Sequence, residues 1–179
     1  MADDKKEPWL NWLALTTVVL AVCATMATFK GGGYSTKSVI TQTQESDQWS
    51  FYQAKSIKGY LYELHRDKLQ LELKAQGSAY SPEAVADYKK VIDGAQSKIK
   101  TYEDERKEIK LKAEALEKFR QDCGAHSSAF GMGVIFLQIA ILLSSIAALL
   151  KKKPLWIAGL VVGVFGIVHF ANGFFLFLK

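Results

Sequence analysis

Three histidines and two cysteines carry the side chains in this 179-residue chain best suited to move a proton near neutral pH, hold a metal or exchange a disulfide. His169 is the sharpest candidate. It lies inside a long apolar run, three residues before Asn172, and an ionisable group in such a run marks a functional site by default. His169 and Asn172 would line a pore if the chain formed one. The plainer alternative is a hydrogen bond to a neighbouring helix, and it is favoured because no carboxylate stands in any apolar run to complete a proton relay. Cys23 and Cys123 are expected at different depths and therefore unpaired with each other. Buried free thiols are expected, with a symmetric Cys123 disulfide between two copies as the alternative in an oxidising compartment. No metal-ligand spacing, phosphate-cradling glycine loop or nucleophile–base pair is legible, so no catalytic or metal-binding residue and no cofactor is assigned, and an enzyme is not expected.

Chemistry of another kind is concentrated between Ser46 and Lys58. On a helix, Trp49, Tyr52 and Gln53 share a face, with Asp47, Gln48 and Lys55 beside them. Such a cluster suits recognition rather than turnover. Two arginines, Arg106 and Arg120, interrupt an otherwise apolar repeat further along the chain, and a polar residue in such a repeat specifies register or partner at a cost in stability.

The elements that must position these residues follow from the distribution of charge. Pro8–Phe29, Cys123–Leu150 and Pro154–Leu178 contain no Asp, Glu, Lys or Arg. Each is long enough to cross a bilayer, which needs about 20 residues, and a soluble enzyme is excluded as the default class. A chain tail, residues 1–8, precedes the first span, expected over 9–29. That run exceeds the core of a typical cleavable signal and has a weak cleavage site, so it is expected to be retained as a transmembrane helix. The second span (123–150) and the third (155–178) are joined by a short basic loop, 151–154. Lys151, Lys152 and Lys153 are costly to translocate, which places that loop and the amino terminus in the cytoplasm and the central block in the periplasm. Trp9, Trp12 and Trp156 lie at span ends, where amphipathic rings favour the interface.

Residues 30–122 hold 17 basic and 15 acidic side chains with the two signs interspersed. This describes a solvated helical surface, and no nucleic-acid partner is expected. From Val85, the positions Tyr88, Ile92, Ala95, Ile99, Tyr102, Arg106, Ile109, Ala113, Leu116, Arg120 and Cys123 keep a three-four spacing that predicts a coiled-coil seam. The phase continues into the second span through Phe130, Val134, Leu137 and Ile141. Ser81-Pro82-Glu83 supplies a capping hydroxyl, a first-turn proline and an early acid for this helix. Its partner is expected over 36–76, after Lys30-Gly31-Gly32-Gly33 ends the first span and Ser35 caps a new helix. The partner's predicted seam is Ile40, Thr43, Asp47, Ser50, Ala54, Ile57, Leu61, Leu64 and Leu71. Arms 36–76 and 82–122 are equal in length, so Gly77–Ser81 would turn an antiparallel hairpin. Counting back from that turn puts Asp47 near Lys110 and Tyr52 near Arg106, and either Asp47 or Tyr52 is expected to meet the seam arginine Arg106, as an ion pair or a cation–π contact. In the third span Gly159, Gly163, Gly166 and Gly173 fall on one face, the pattern that lets helices approach closely in lipid. Ala140, Ser144 and Ala148 repeat it more weakly in the second.

The run Ser46-Asp47-Gln48-Trp49-Ser50-Phe51-Tyr52-Gln53-Ala54-Lys55-Ser56-Ile57-Lys58 resembles the signature of a bacterial membrane-protein family known as domain of unknown function 4337. The resemblance extends, with the three spans and the hairpin, over essentially the whole chain. It implies a bacterial integral membrane protein and no particular activity. The expected architecture is all-α, with three transmembrane helices and a coiled-coil hairpin between the first two. The expected role is a non-enzymatic scaffold or adaptor in the bacterial inner membrane, a homo-oligomer embedded in lipid that presents its stalk to a protein partner. A pore-forming or accessory subunit of a transport complex is the alternative.

Overall fold

The computed structural model describes residues 8–178, which are all-α. What the sequence predicts for residues 1–7 and for Lys179 lies outside the described residues. Helix α1 runs Pro8–Gln76 and α2 runs Pro82–Leu150, 69 residues each, and α3 runs Lys153–Phe175. A short 3-10 turn, Gly77–Ala79, joins the first two. Each of the three helices is long and apolar enough to cross a membrane. The 23 residues of α3 rise about 35 Å, against a hydrocarbon core of about 30 Å.

The predicted start of α2 is realised in detail. Ser81 Oγ accepts the Ala84 N–H at 3.2 Å, Pro82 occupies the first helical position and Glu83 lies in the first turn. The helix ends at Leu150; Lys151 after it takes the left-handed conformation (φ 52°), and the Lys152 N–H reaches back to the Ala147 carbonyl at 3.1 Å. That six-residue closure satisfies an orphan carbonyl at the helix end.

One boundary differs from expectation. Lys30-Gly31-Gly32-Gly33 does not end a helix and Ser35 does not cap one, because α1 passes through without a break. A glycine in a helix interior costs only about 1 kcal/mol, too little to outweigh a long packed helix. Gly31 also faces α2 closely, since a Cβ there would lie 3.0 Å from Phe130 Cβ. The first arm is thus the continuation of the first span, and α3 begins two residues before and ends three residues before the predicted 155–178.

The chain divides into two compact units, residues 1–40 with 119–179 and Thr41–Lys118. In the first, Leu20, Ala24, Leu137 and Ala140 form a buried cluster flanked by Cys23, Ile141 and Val162. Gly159, Gly163, Gly166 and Gly173 are all buried within the chain. A Cβ on Gly166 would lie 2.9 Å from the Leu137 backbone nitrogen, and one on Gly173 2.5 Å from the Phe130 ring. The glycine face therefore serves packing between α3 and the other helices of the same chain. Ala140 and Ser144 face the same contact, where a Gly159 Cβ would meet the Ala140 carbonyl at 3.2 Å and Ser144 Oγ at 3.3 Å. Trp9 and Trp156 bring their rings to 6.1 Å, and the Trp156 indole N–H donates to Thr16 Oγ1 at 3.2 Å.

The second unit is an antiparallel helical hairpin, as the pairs Lys55–Glu105, Gly59–Tyr102 and Arg66–Gln96 require. Every predicted α2 seam position from Val85 to Leu116 is buried or half-buried. The predicted α1 seam is not. Ile40 in the first unit and Thr43, Asp47, Ser50, Ala54, Ile57, Leu61, Leu64 and Leu71 in the second are all exposed. The covered positions of α1 in this unit include instead Thr41, Gln48, Trp49, Tyr52, Lys55, Gly59, Tyr62 and Arg66, with Leu69 and Leu73 nearer the turn. Rings and the aliphatic stems of cationic side chains cover apolar surface while their polar ends reach partners at the edge, so an outwardly polar sequence can serve as the covered face. Gly59 is buried against Tyr102, where an added Cβ would make an ordinary contact at 3.8 Å from Tyr102 Cβ.

Candidate functional site

Of the six motif residues Asp47, Gln48, Trp49, Tyr52, Gln53 and Lys55, four lie on the covered side of α1. Trp49 and Tyr52 are half-buried and meet edge to face with ring centroids 5.6 Å apart. Gln48 and Lys55 are also half-buried, whereas Asp47 and Gln53 are exposed. Gln53 therefore leaves the face predicted for it, because Tyr52, one position earlier, takes the contact with α2.

Arg106 is the centre of the arrangement. Its guanidinium lies 5.5 Å from the Tyr52 ring centroid and 5.9 Å from that of Tyr60, two turns further along α1. The buried Arg106 Nε makes no hydrogen bond, which fits a planar cation held between ring faces. Next to it, Lys55 Nζ is 2.7 Å from Glu105 Oε2 and 5.4 Å from the Tyr102 ring centroid. Tyr102 in turn approaches Tyr62 at 5.8 Å. Two cation–ring groups therefore cross the hairpin: Arg106 with Tyr52 and Tyr60, and Lys55 with Tyr102, which in turn meets Tyr62. Of these partners, Glu105 and Tyr62 were not singled out by the sequence. The signal was available in their position opposite Lys55 and one heptad beyond it, but it needs the hairpin register to be read. A shallow cleft of about 300 Å³ adjoins the cluster, lined by Tyr52, Glu103, Arg106, Lys107 and Lys110. Arg120 is not part of this group. It belongs to the first unit, where its carbonyl accepts the Ser38 hydroxyl at 3.4 Å.

The first unit has its own polar cluster where its three helices meet. His126 Nδ1 is 2.8 Å from the Gly173 carbonyl, which can only accept, so Nδ1 carries the proton. The imidazole stacks on Tyr34 at 4.6 Å, and Nε2 stands 3.8 Å from Asp122 Oδ2. Ser127 donates to the Gly31 carbonyl at 3.1 Å. Phe130, fully buried, packs edge to face against Phe170 and Phe174. His126 thus ties the end of α3 to α2, a role the sequence did not single out.

The proposed pore pair is placed differently. His169 is half-buried and stacks on Phe136 at 5.5 Å. Asn172 is 4% exposed, and its side chain accepts the Leu178 N–H at 2.7 Å while its carbonyl accepts that of Leu176 at 2.8 Å. Leu176 adopts the left-handed conformation, so Asn172 closes the carboxyl end of α3. Cys23 and Cys123 are free, and Cys123 is buried at 1% exposure. Among the described residues no three metal-ligating side chains come together. Both polar clusters hold helices in place, and neither contains an assembled nucleophile, acid and base.

No curated protein and no solved structure matches this sequence. The likeness carried by Ser46–Lys58 extends to a family model matching residues 9–176, and the chain belongs to the family described as Domain of unknown function (DUF4337).

Proposed function

We propose that the protein is a non-enzymatic, membrane-anchored scaffold of the bacterial inner membrane that self-associates and presents its helical hairpin to protein partners. The hairpin is read as an antiparallel coiled coil on the periplasmic side, with the basic loop around Lys152 and the amino terminus in the cytoplasm. One observation carries the proposal. Both helices of the second unit expose large apolar side chains, among them Phe51, Ile57, Leu61, Leu64, Leu71, Val91 and Leu111. Apolar surface on that scale marks an interaction face. The Arg106 and Lys55 contacts fix which sides of α1 and α2 face each other and so decide which apolar positions remain outward. A pore is supported less well, since Asn172, the polar partner of His169 in that reading, caps α3.

The test is the intact mass of the complex extracted gently from its native membrane. Whole multiples of 19.9 kDa above one support self-association. A single 19.9 kDa species without companions would overturn the scaffold reading.

A further inference from the structure

Among the exposed positions of α1 in the second unit, one set forms a regular stripe. Asp47, Ser50, Ala54, Ile57, Leu61, Leu64, Lys68 and Leu71 keep an unbroken three-four spacing, and every one of them faces away from α2. Ile57, Leu61, Leu64 and Leu71 are 59–69% exposed, and Phe51 and Tyr60 flank them at 57% and 58%. Three-four spacing of apolar residues is the pattern by which one helix packs lengthwise on another. The α2 of the same chain cannot be that helix, because it occupies the opposite face of α1.

We propose that this outward stripe is the seam at which α1 packs in parallel against α1 of a second copy of the chain. The inference rests on the self-associating reading above and names its interface. Copies inserted in one bilayer share an orientation, so the same stripe meets itself at the same height and a parallel pairing needs no rearrangement. The surface is of the right size. Five side chains at about 100 Å² each, leaving out Tyr60 because its ring meets Arg106, give roughly 500 Å² of apolar surface per copy before the intervening positions are counted, against about 800 Å² per partner in a standard interface. Asp47 and Lys68 stand at seam positions, where polar residues fix register and subunit number at a cost in stability. In a parallel seam the two Asp47 carboxylates face each other, so the wild-type interface is weaker than its apolar positions alone would make it.

The experiment uses the full chain in lipid nanodiscs. Native mass is measured for the wild type, the double variant Leu61→Asp/Leu64→Asp, and Asp47→Leu. The double variant is expected to weaken association on the order of a hundredfold, and Asp47→Leu to strengthen it severalfold. Circular dichroism checks that helix content is retained, which the exposure of Leu61 and Leu64 favours. In a Cys23→Ala/Cys123→Ala background, single cysteines at 57, 61 and 64 are expected to form disulfides between copies at least about tenfold faster than cysteines at positions 58 and 65, which are also exposed. A monomeric wild type would sink both the self-association reading and this seam. An oligomer that survives the double variant, with equal cross-linking at all five positions, would sink the seam and leave self-association standing. Loss of a different, co-purifying protein from the double variant while the oligomer persists would overturn the second copy as the occupant.

Discussion

Replacing Gly166 by alanine isolates the close approach of α3 to α2 from the general effect of glycine on helices. Alanine is the better helix former by about 1 kcal/mol, and that gain is shared by any Gly→Ala change inside a helix. At Gly32 nothing lies within 4 Å of an added Cβ, so the gain should appear undiminished. At Gly166 the added carbon would stand 2.9 Å from the Leu137 backbone nitrogen and 2.8 Å from its Cγ. A leucine side chain can rotate, but a backbone nitrogen can yield only if the helices separate by about 0.5 Å to restore ordinary contact. A gap of that size forfeits a quarter or more of the dispersion energy of the contacts it opens. Overpacking of this kind costs about 1–3 kcal/mol. A methyl group moved from lipid into a helix contact gains little by transfer, because lipid is already apolar. Gly166→Ala should therefore fall about 1–3 kcal/mol below Gly32→Ala in stability, because the helix-propensity gain is common to both and cancels. The assay is unfolding of the full chain in mixed micelles by added SDS, followed by far-UV circular dichroism. If Gly166→Ala unfolds at the same SDS fraction as Gly32→Ala, the packing argument for the glycine face is wrong.

Three further outcomes follow from the other contacts. A double-mutant cycle with Tyr52→Leu and Arg106→Leu should show a coupling of about 0.5–1 kcal/mol, since the guanidinium sits over the ring; strictly additive losses would refute that pairing. His126→Ala leaves the Gly173 carbonyl without its donor and should cost about 1–2 kcal/mol, with faster hydrogen exchange confined to the last turns of α3. Uniform exchange across all three helices would contradict a local tie. The hydrogen bond with Tyr80 holds the Tyr88 phenol above its ordinary value of about 10, with the neighbouring charge of Tyr80 and of Glu72 acting the same way. The raised value means that the folded state favours the neutral phenol, so this contribution is full below the ordinary value and is lost as pH rises through the raised one. Ultraviolet titration should show Tyr88 returning toward the ordinary value in Tyr80→Phe, and no change there would dismiss the contact.

Helix α2 was legible because its apolar residues and its covered face coincide, so a count of spacing from Val85 to Leu116 identified the packing directly. Helix α1 broke that link. It has an apolar face and a covered face, and they are different: Tyr52, Lys55, Tyr62 and Arg66 meet α2 while Ile57, Leu61 and Leu64 look outward. Periodicity counts apolar side chains and cannot see that a tyrosine ring or a lysine stem covers a neighbour equally well. Gly31-Gly32-Gly33 misled for a related reason. Three glycines read as punctuation, yet the cost of keeping them helical is small beside the packing of a long helix, and Gly31 is needed against Phe130. The Tyr52–Arg106 proximity was legible because it required only the turn position and equal arms. The His126–Gly173 tie was not, since it depends on how α3 folds back within its own unit.

The matched lengths of α1 and α2 bear on how such a gene can change. Paired positions such as Lys55 with Glu105 and Arg66 with Gln96 have residue numbers that add to nearly the same value, so each level of the hairpin is tied to a fixed count from the turn. One codon inserted into either arm would rotate every side chain between it and the neighbouring end by about 100°, moving Arg106 off its rings or Ala95 into water. Length can then drift only in paired steps, by whole heptads added to both arms or by residues added at the Gly77–Ala79 turn itself. Descendants of this chain should accordingly differ at that turn far more freely than anywhere along the arms.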